Sequence, residues 1–218
     1  MKILIIKHGS LGDLVLSFGA IKTLNHHYPN DDLYLLTQSN YKNIFIKLPY
    51  VKEILIDNRL SIIQSIINYL KTIKKNKFDL VVDLQNSNRT QIYHFFTRVF
   101  TNTQILSARK FSNIKYHQQK LGVQHITQNH KDQLSKLNIH KYFSPDLSWM
   151  SLKKTNKNNY VIMIPGASKT GSYKKWPTQK FAKIAKHLID KKLDVYLTGS
   201  QLDLSLIHIS EPTRRTII

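Results

Sequence analysis

Apolar residues fall into short runs separated by stretches of helical periodicity. "KILIIK" (residues 2–7) is a compact, isoleucine-rich run that stops at Gly9, as a buried strand does. Residues 11–26 then carry apolar positions at helical spacing. "LYLLT" (33–37), "EILID" (53–57) and "DLVVDL" (79–84) repeat the strand pattern, and "QILSA" (104–108) repeats it more weakly. Helix-like segments at 41–48, 61–75 and 89–100 lie between them. Apolar strands alternating with helices predict an α/β fold with a parallel sheet covered on both faces.

A second run of this kind begins at "YVIMIPG" (160–166), a strand ended by a Pro-Gly break. A helix is expected over 176–193, with Pro177 near its first turn, and "DVYLTG" (194–199) reads as the next strand. The intervening "SPDLSWMSLKKTNKNN" (144–159) is polar and contains proline. The pattern therefore predicts a complete first domain over 1–145, a linker over 146–159 and a partial second domain over 160–203. The tail departs from it: "LSLIHISEPTR" (204–214) matches the translation of an adapter used in transposase-based sequencing libraries. Residues 204–218 are accordingly read as a non-native tail on a truncated chain.

Composition changes this picture mainly through charge. The 218 residues hold 33 Lys and Arg against 13 Asp and Glu, a formal +20. Such an excess points to an anionic partner, whether nucleic acid, membrane surface or phosphorylated substrate. Crowding with Lys, Asn and Ile, as an AT-rich genome would give, accounts for part of it. The absence of cysteine excludes disulfides and thiolate metal sites. The N-terminus does not read as a signal peptide, because Asp13 interrupts the apolar stretch. No apolar stretch is long enough to span a bilayer. The ten histidines show no metal-ligand spacing, so no metal is expected.

Two motifs carry candidate chemistry. In "HGSLGD" (8–13), Gly9 and Gly12 allow a tight strand-to-helix turn and close approach by a ligand. The spacing is neither a dinucleotide fingerprint nor a P-loop. Asp13 has two readings: a cap or favourable charge at the helix N-terminus, or a working acid. In "IPGASKTGSYKKWP" (164–177), Gly166, Ala167 and Ser168 place small residues and a hydroxyl at a strand end. Lys174 and Lys175 precede a helix start, which suits a diphosphate; a plain basic surface loop is the alternative.

Together the motifs "KHGSLGDLVLSFGAIKTL", "DLVVDLQNSNRT" and "PGAS…KKWPTQKFAKIAKHL" followed by "YLTGS" resemble glycosyltransferase family nine, the ADP-heptose:lipopolysaccharide heptosyltransferases. The resemblance runs to about Asp203. It implies the GT-B arrangement: two Rossmann-like domains facing a cleft, acceptor on the first and ADP-sugar on the second. By motif, Asp13 is the implied catalytic base and Lys174 the stabiliser of the leaving diphosphate. Ser168 and Gly166 fall near the phosphates. Gly12, Gln85, Arg89, Arg109 and Lys110 fall on the acceptor side. The implied reaction is inverting, metal-independent transfer from a nucleotide-sugar donor, with no further cofactor, to a lipopolysaccharide inner-core acceptor. A cytoplasmic location follows, with peripheral contact at the inner face of the cytoplasmic membrane. The family's later Asp-Ser/Thr-Gly turn leading to a histidine is absent, so this chain is expected to be inactive. The competing readings are a non-catalytic basic module on anionic lipid or polysaccharide, and a nucleic-acid binder. The latter lacks any recognisable motif.

Overall fold

A computed structural model describes residues 1–58, 61–119, 123–150, 159–167, 173 and 175–199. The chain divides into two compact units, Met1–Ser151 and Leu152–Ile218.

In the first unit, β1 (Lys2–Ile6), β2 (Asp32–Thr37), β3 (Glu53–Ile56), β4 (Leu80–Asp83), β5 (Gln104–Ser107) and β6 (Ile114–Lys115) form one sheet. Its order is β3-β2-β1-β4-β5-β6 and every pairing is parallel. The order reverses between β1 and β4, which creates a crevice beyond the carboxyl ends of those strands. The connecting helices are α1 (Leu11–His27), α2 (Lys42–Phe45), α3 (Ile62–Asn76) and α4 (Asn88–Phe100), with α5 (Ile126–Ser135) after β6.

Alternation along β1 assigns the two faces. Ile3 and Ile5 join Leu14, Phe18, Ile21 and Leu24 of α1 and Leu134 of α5 in one core. Leu4 and Ile6 join Tyr69 and Ile73 of α3 and Tyr93 of α4 in the other. Continuing the alternation sends Lys7 toward the first face and His8 toward the second. Phe18 is fully buried and meets Phe45 and Trp149 edge-on at 5.4 and 5.3 Å. Burying one such side chain contributes on the order of 2–3 kcal/mol. Gly19 is required by packing, because a Cβ there would lie 2.6 Å from the Phe143 carbonyl oxygen.

The strands of this unit match the apolar runs to within a residue or two. The segment 41–48 does not form one helix; a 3₁₀ turn at Ser39–Tyr41 leads into the four-residue α2. β6 and α5 had no counterpart in the apolar pattern. Residues within the stretch read as a linker pack on the first unit. Asp146 accepts from Lys22 Nζ at 2.8 Å and from Tyr50 Oη at 3.2 Å, and Trp149 Nε1 donates to the Asp146 carbonyl.

In the second unit, β7 (Tyr160–Met163) and β8 (Asp194–Leu197) pair in parallel, joined through α6 (Thr178–Asp190). Pro177 sits at the N-cap of α6, so this helix is shorter than the expected 176–193. Residues 168–172, Lys174 and 200–218 lie outside the described residues. No described helix is long and apolar enough to cross a membrane.

Candidate active site

The turn after β1 is built around Gly9, whose φ of +103° is a conformation L side chains rarely adopt. This lets the chain leave the sheet and enter α1 within four residues. The capping question raised by the sequence has a structural answer. Ser10 occupies the N-cap position but makes no side-chain cap hydrogen bond. Its hydroxyl donates instead to Asp13 Oδ2 at 3.1 Å. Asp13 is exposed in the first turn of α1. A solvent-facing carboxylate at the positive end of a helix, steadied by one hydroxyl, is suited to accepting a proton from a bound hydroxyl group.

The opposite wall comes from the turn after β4. Gln85 Oε1 accepts the His8 backbone N–H at 3.1 Å. A Cβ at position 9 would sit 3.3 Å from that oxygen and 3.7 Å from Asp13 Oδ2. Gly9, Asp13 and Gln85 thus converge where the strand order reverses. A Cβ at Gly12 would meet nothing within 4 Å among the described residues. No packing demand from the described residues explains that glycine.

Beneath this wall lies a buried polar scaffold. Asp83 Oδ1 accepts the backbone N–H groups of Gln85 and Asn86, each at 2.9 Å. His94 Nε2 stands 3.2 Å from Asp83 Oδ2, and both side chains are fully buried. Burial alone would raise the Asp83 carboxyl; hydrogen bonds and charge from His94, with Thr90 and Asn86, outweigh it and hold it below the usual range. Asn86, at φ +49°, donates to Tyr116 Oη at 2.9 Å and accepts from Ser107 Oγ and Ala108 N. Arg109 Nε donates to the Asn86 carbonyl, and its Nη1 reaches Asn88 Oδ1 at 3.5 Å. The guanidinium is therefore anchored one strand away from Gln85.

Lys7 is almost fully buried, with Nζ 3.3 Å from the Leu84 carbonyl oxygen. Burial lowers its proton affinity, while the charges of Asp13 and Asp83 oppose that shift. Arg89 is differently placed. Its Nη1 donates to Ser65 Oγ at 2.9 Å and to Tyr93 Oη at 3.4 Å, and lies 4.0 Å from Asp57 Oδ1. Asp57 also accepts from Tyr93 Oη at 2.7 Å and stands 3.4 Å from His8 Nε2. Lys110 is exposed beyond Arg109, and Gly166 is partly exposed after β7 in the second unit. Ser168 and Lys174, read as diphosphate ligands, and Asp203 lie outside the described residues. Among the described residues no group of three or more His, Asp or Glu side chains could hold a metal ion.

Sequence reasoning missed Lys7, Asn86, Tyr116 and Gln133, whose Nε2 donates to the Asp83 carbonyl at 2.9 Å. An asparagine three residues after the end of β4 was the available signal for the turn at 86. Tyr116 and Gln133 gave none, because they follow or lie on the two elements the apolar pattern did not show.

The family model for glycosyltransferase family 9 (heptosyltransferase) matches residues 66–211, more than half of the chain. No curated protein sequence matches. Among solved structures, a family 9 glycosyl transferase from Veillonella parvula superposes with a TM-score of 0.79 at 17% identity, covering 99% of this chain and 68% of that one. E. coli ADP-heptose lps heptosyltransferase II gives 0.70 at 20% identity, covering 96% and 67%. E. coli heptosyltransferase WaaC with ADP-2-deoxy-2-fluoro heptose gives 0.71 at 16% identity, covering 97% and 73%. The chain spans about two thirds of the length of the first two.

Proposed function

The chain belongs to glycosyltransferase family 9, with an α/β fold of GT-B type, and on that premise we propose that it transfers heptose from ADP-heptose to a lipopolysaccharide inner-core acceptor. The observation that carries this reading is the convergence of Gly9, Asp13 and Gln85 at the β1–β4 reversal. The Asp13 carboxylate takes the proton of the acceptor hydroxyl. The freed oxygen pair bonds to the anomeric carbon as the bond from that carbon to the diphosphate breaks. The bond electrons leave with ADP, and attack from the opposite side inverts the centre.

Gly12 leaves room for the sugar against the backbone, Gln85 borders the acceptor, and Arg109 and Lys110 meet its phosphates. Bidentate arginine geometry suits that task. Arg89 supports the site through the Asp57, Tyr93 and Ser65 network rather than reaching the acceptor. Lys174, Ser168 and the backbone at Gly166 neutralise the charge that develops on the leaving diphosphate. The donor is a substrate, and the reaction calls for no metal.

ADP release from ADP-heptose in the presence of a heptose-deficient lipopolysaccharide acceptor tests the proposal. Asp13→Asn should lower turnover by roughly 10²–10⁴-fold, the usual worth of a positioned base, with acceptor binding retained. Undiminished turnover in that variant would reject Asp13 as the base. Because the later Asp-Ser/Thr-Gly turn is absent from this sequence, the chain as given should release little or no ADP, and the assay is run beside a protein that also carries that segment. Acceptor binding with no ADP released by either would favour a non-catalytic module instead.

A further inference from the structure

The first strand ends on a lysine where its burial pattern calls for another apolar residue. Lys7 follows Ile3 and Ile5 on the face covered by α1 and α5, and is 4% exposed. Its Nζ donates to the carbonyl oxygen of Leu84, the residue before Gln85, at 3.3 Å. A cation removed from water ordinarily sits against a carboxylate. Among the described residues, however, Lys7 takes part in none of the ion pairs.

The elements packed around Lys7 offer it four polar groups. From β2, continuing the register with β1, comes Thr37, fully buried, with no hydrogen-bond partner for Oγ1 among the described residues. From α5 comes His130, kept neutral by burial and by the charge of Lys7 itself. From β4 comes Asp83, already engaged by His94 and by the backbone N–H groups of Gln85 and Asn86. From α1 comes Asp13, whose carboxylate accepts only from Ser10 Oγ among the described residues. Burial lowers the proton affinity of Lys7, and of the two acids that oppose this, Asp13 acts more strongly. A buried cation and an exposed carboxylate, neither in an ion pair among the described residues, thus flank one strand-to-helix turn.

We infer that Lys7 is a positioning residue for the transfer: its buried ammonium, tied to the Leu84 carbonyl at the β1–β4 reversal, is the fixed counter-charge of Asp13. Both substrates bring negative charge to this turn, a diphosphate on the donor and phosphates on the acceptor. Such charge drives a neighbouring carboxylate to hold a proton, and a carboxylate that holds one cannot take another. A positive charge fixed beneath the turn offsets that push. Burial strengthens its effect, because little water screens it. The bond to Leu84 keeps it beside the wall that carries Gln85. The inference deepens the proposed function and rests on it for what Asp13 does with the proton. The coupling of the two charges is independent of that reading.

The test has two arms. In the first, the whole chain is labelled with carbon-13 lysine, and the Cε signal of Lys7, identified by its absence in Lys7→Arg, is followed against pH. Lys7 should lose its proton at lower pH than the exposed lysines. Asp13→Asn, a change at an exposed position, should lower that midpoint further, by roughly half a pH unit or more. In the second arm, pH–rate profiles are measured for a protein that also carries the later Asp-Ser/Thr-Gly segment. Lys7→Met should lower kcat roughly tenfold or more near neutral pH, with KM for the acceptor little changed, and the deficit should close as pH rises. Lys7→Arg should keep most of the rate at every pH. A Lys7 midpoint that Asp13→Asn leaves in place overturns the inference. A Lys7→Met deficit of the same size at every pH assigns Lys7 to the scaffold alone and also overturns it. Absence of turnover in the unaltered proteins counts against the transferase reading, while the first arm still decides whether the two charges are coupled.

Discussion

Gly9 shows how much can turn on one residue. Its φ of +103° puts the backbone where a side chain costs roughly 1–2 kcal/mol, and a Cβ would press on Gln85 Oε1 at 3.3 Å. Gly9→Ala should therefore destabilise the first unit by about that amount in denaturant melts and should displace Gln85. Turnover should fall more than stability does. Gly12→Ala is the contrast: nothing among the described residues opposes its Cβ, so stability should change little, and a rise in KM for the acceptor would report steric blocking. His130 belongs to the same scale. It is 1% exposed, and neither ring nitrogen has a hydrogen-bond partner among the described residues. Burial, with the charges of Lys7 and His125, lowers its pKa to about 3. The neutral ring is favoured in the fold, so its contribution is fully present above pH ~6.5 and is lost as pH falls from there toward 3. Urea melts across that window should show the loss, on the order of several kcal/mol at most, and His130→Leu should flatten the dependence.

At the level of elements, α4 is held at its start by a reciprocal capping box. Thr90 N donates to Ser87 Oγ and Ser87 N donates to Thr90 Oγ1. Ser87→Ala should cost about 1 kcal/mol, read as a lower denaturation midpoint. Gly19→Ala in α1 should cost more, roughly 1–3 kcal/mol, because the Phe143 carbonyl and Tyr142 hydroxyl must move aside. Five strands of the first sheet and helices α1, α3 and α4 were legible as apolar runs and helical periodicity, for strands buried on both faces can hardly be written otherwise. Helix α5 was not, and the reason is physical. Its buried face is Asn129, His130, Gln133 and Leu134, so the face turned inward reads as polar. Gln133 is there to bond the carbonyl groups of Asp83 and Leu106, a task invisible until those strands are in place. The two-residue β6 is too short to show a period.

At the scale of the whole molecule, the first unit has two apolar cores and a six-stranded sheet of its own. Expressed as residues 1–151, it should unfold in a single cooperative transition, and a broad, non-cooperative melt would contradict its independence. The net charge of +20 also acts at this scale. Its acid-free tract from 84 to 131 spans α4, the acceptor-side Arg109 and the start of α5 and holds seven Lys and Arg, while a second acid-free tract, 147–189, holds nine Lys. Acceptor capture should accordingly weaken as salt rises, with KM for a phosphorylated acceptor increasing more steeply than KM for one stripped of phosphate.

Composition and periodicity by themselves determined the α/β class, the parallel sheet, the positions of the principal strands and the two glycine-bearing turns, because local burial patterns and backbone freedom are properties of neighbouring residues. The family resemblance was likewise carried by short contiguous motifs. Only the tertiary structure decided that Ser10 turns to Asp13 instead of capping α1, that Gln85 stands beside Gly9, and that Arg89 is held by Ser65, Tyr93 and Asp57. It also decided that Lys7 and His130 lose their water. Apart from the Ser10–Asp13 contact, which is local, each of these depends on residues far apart in the chain, brought together when the strands of the first unit assemble.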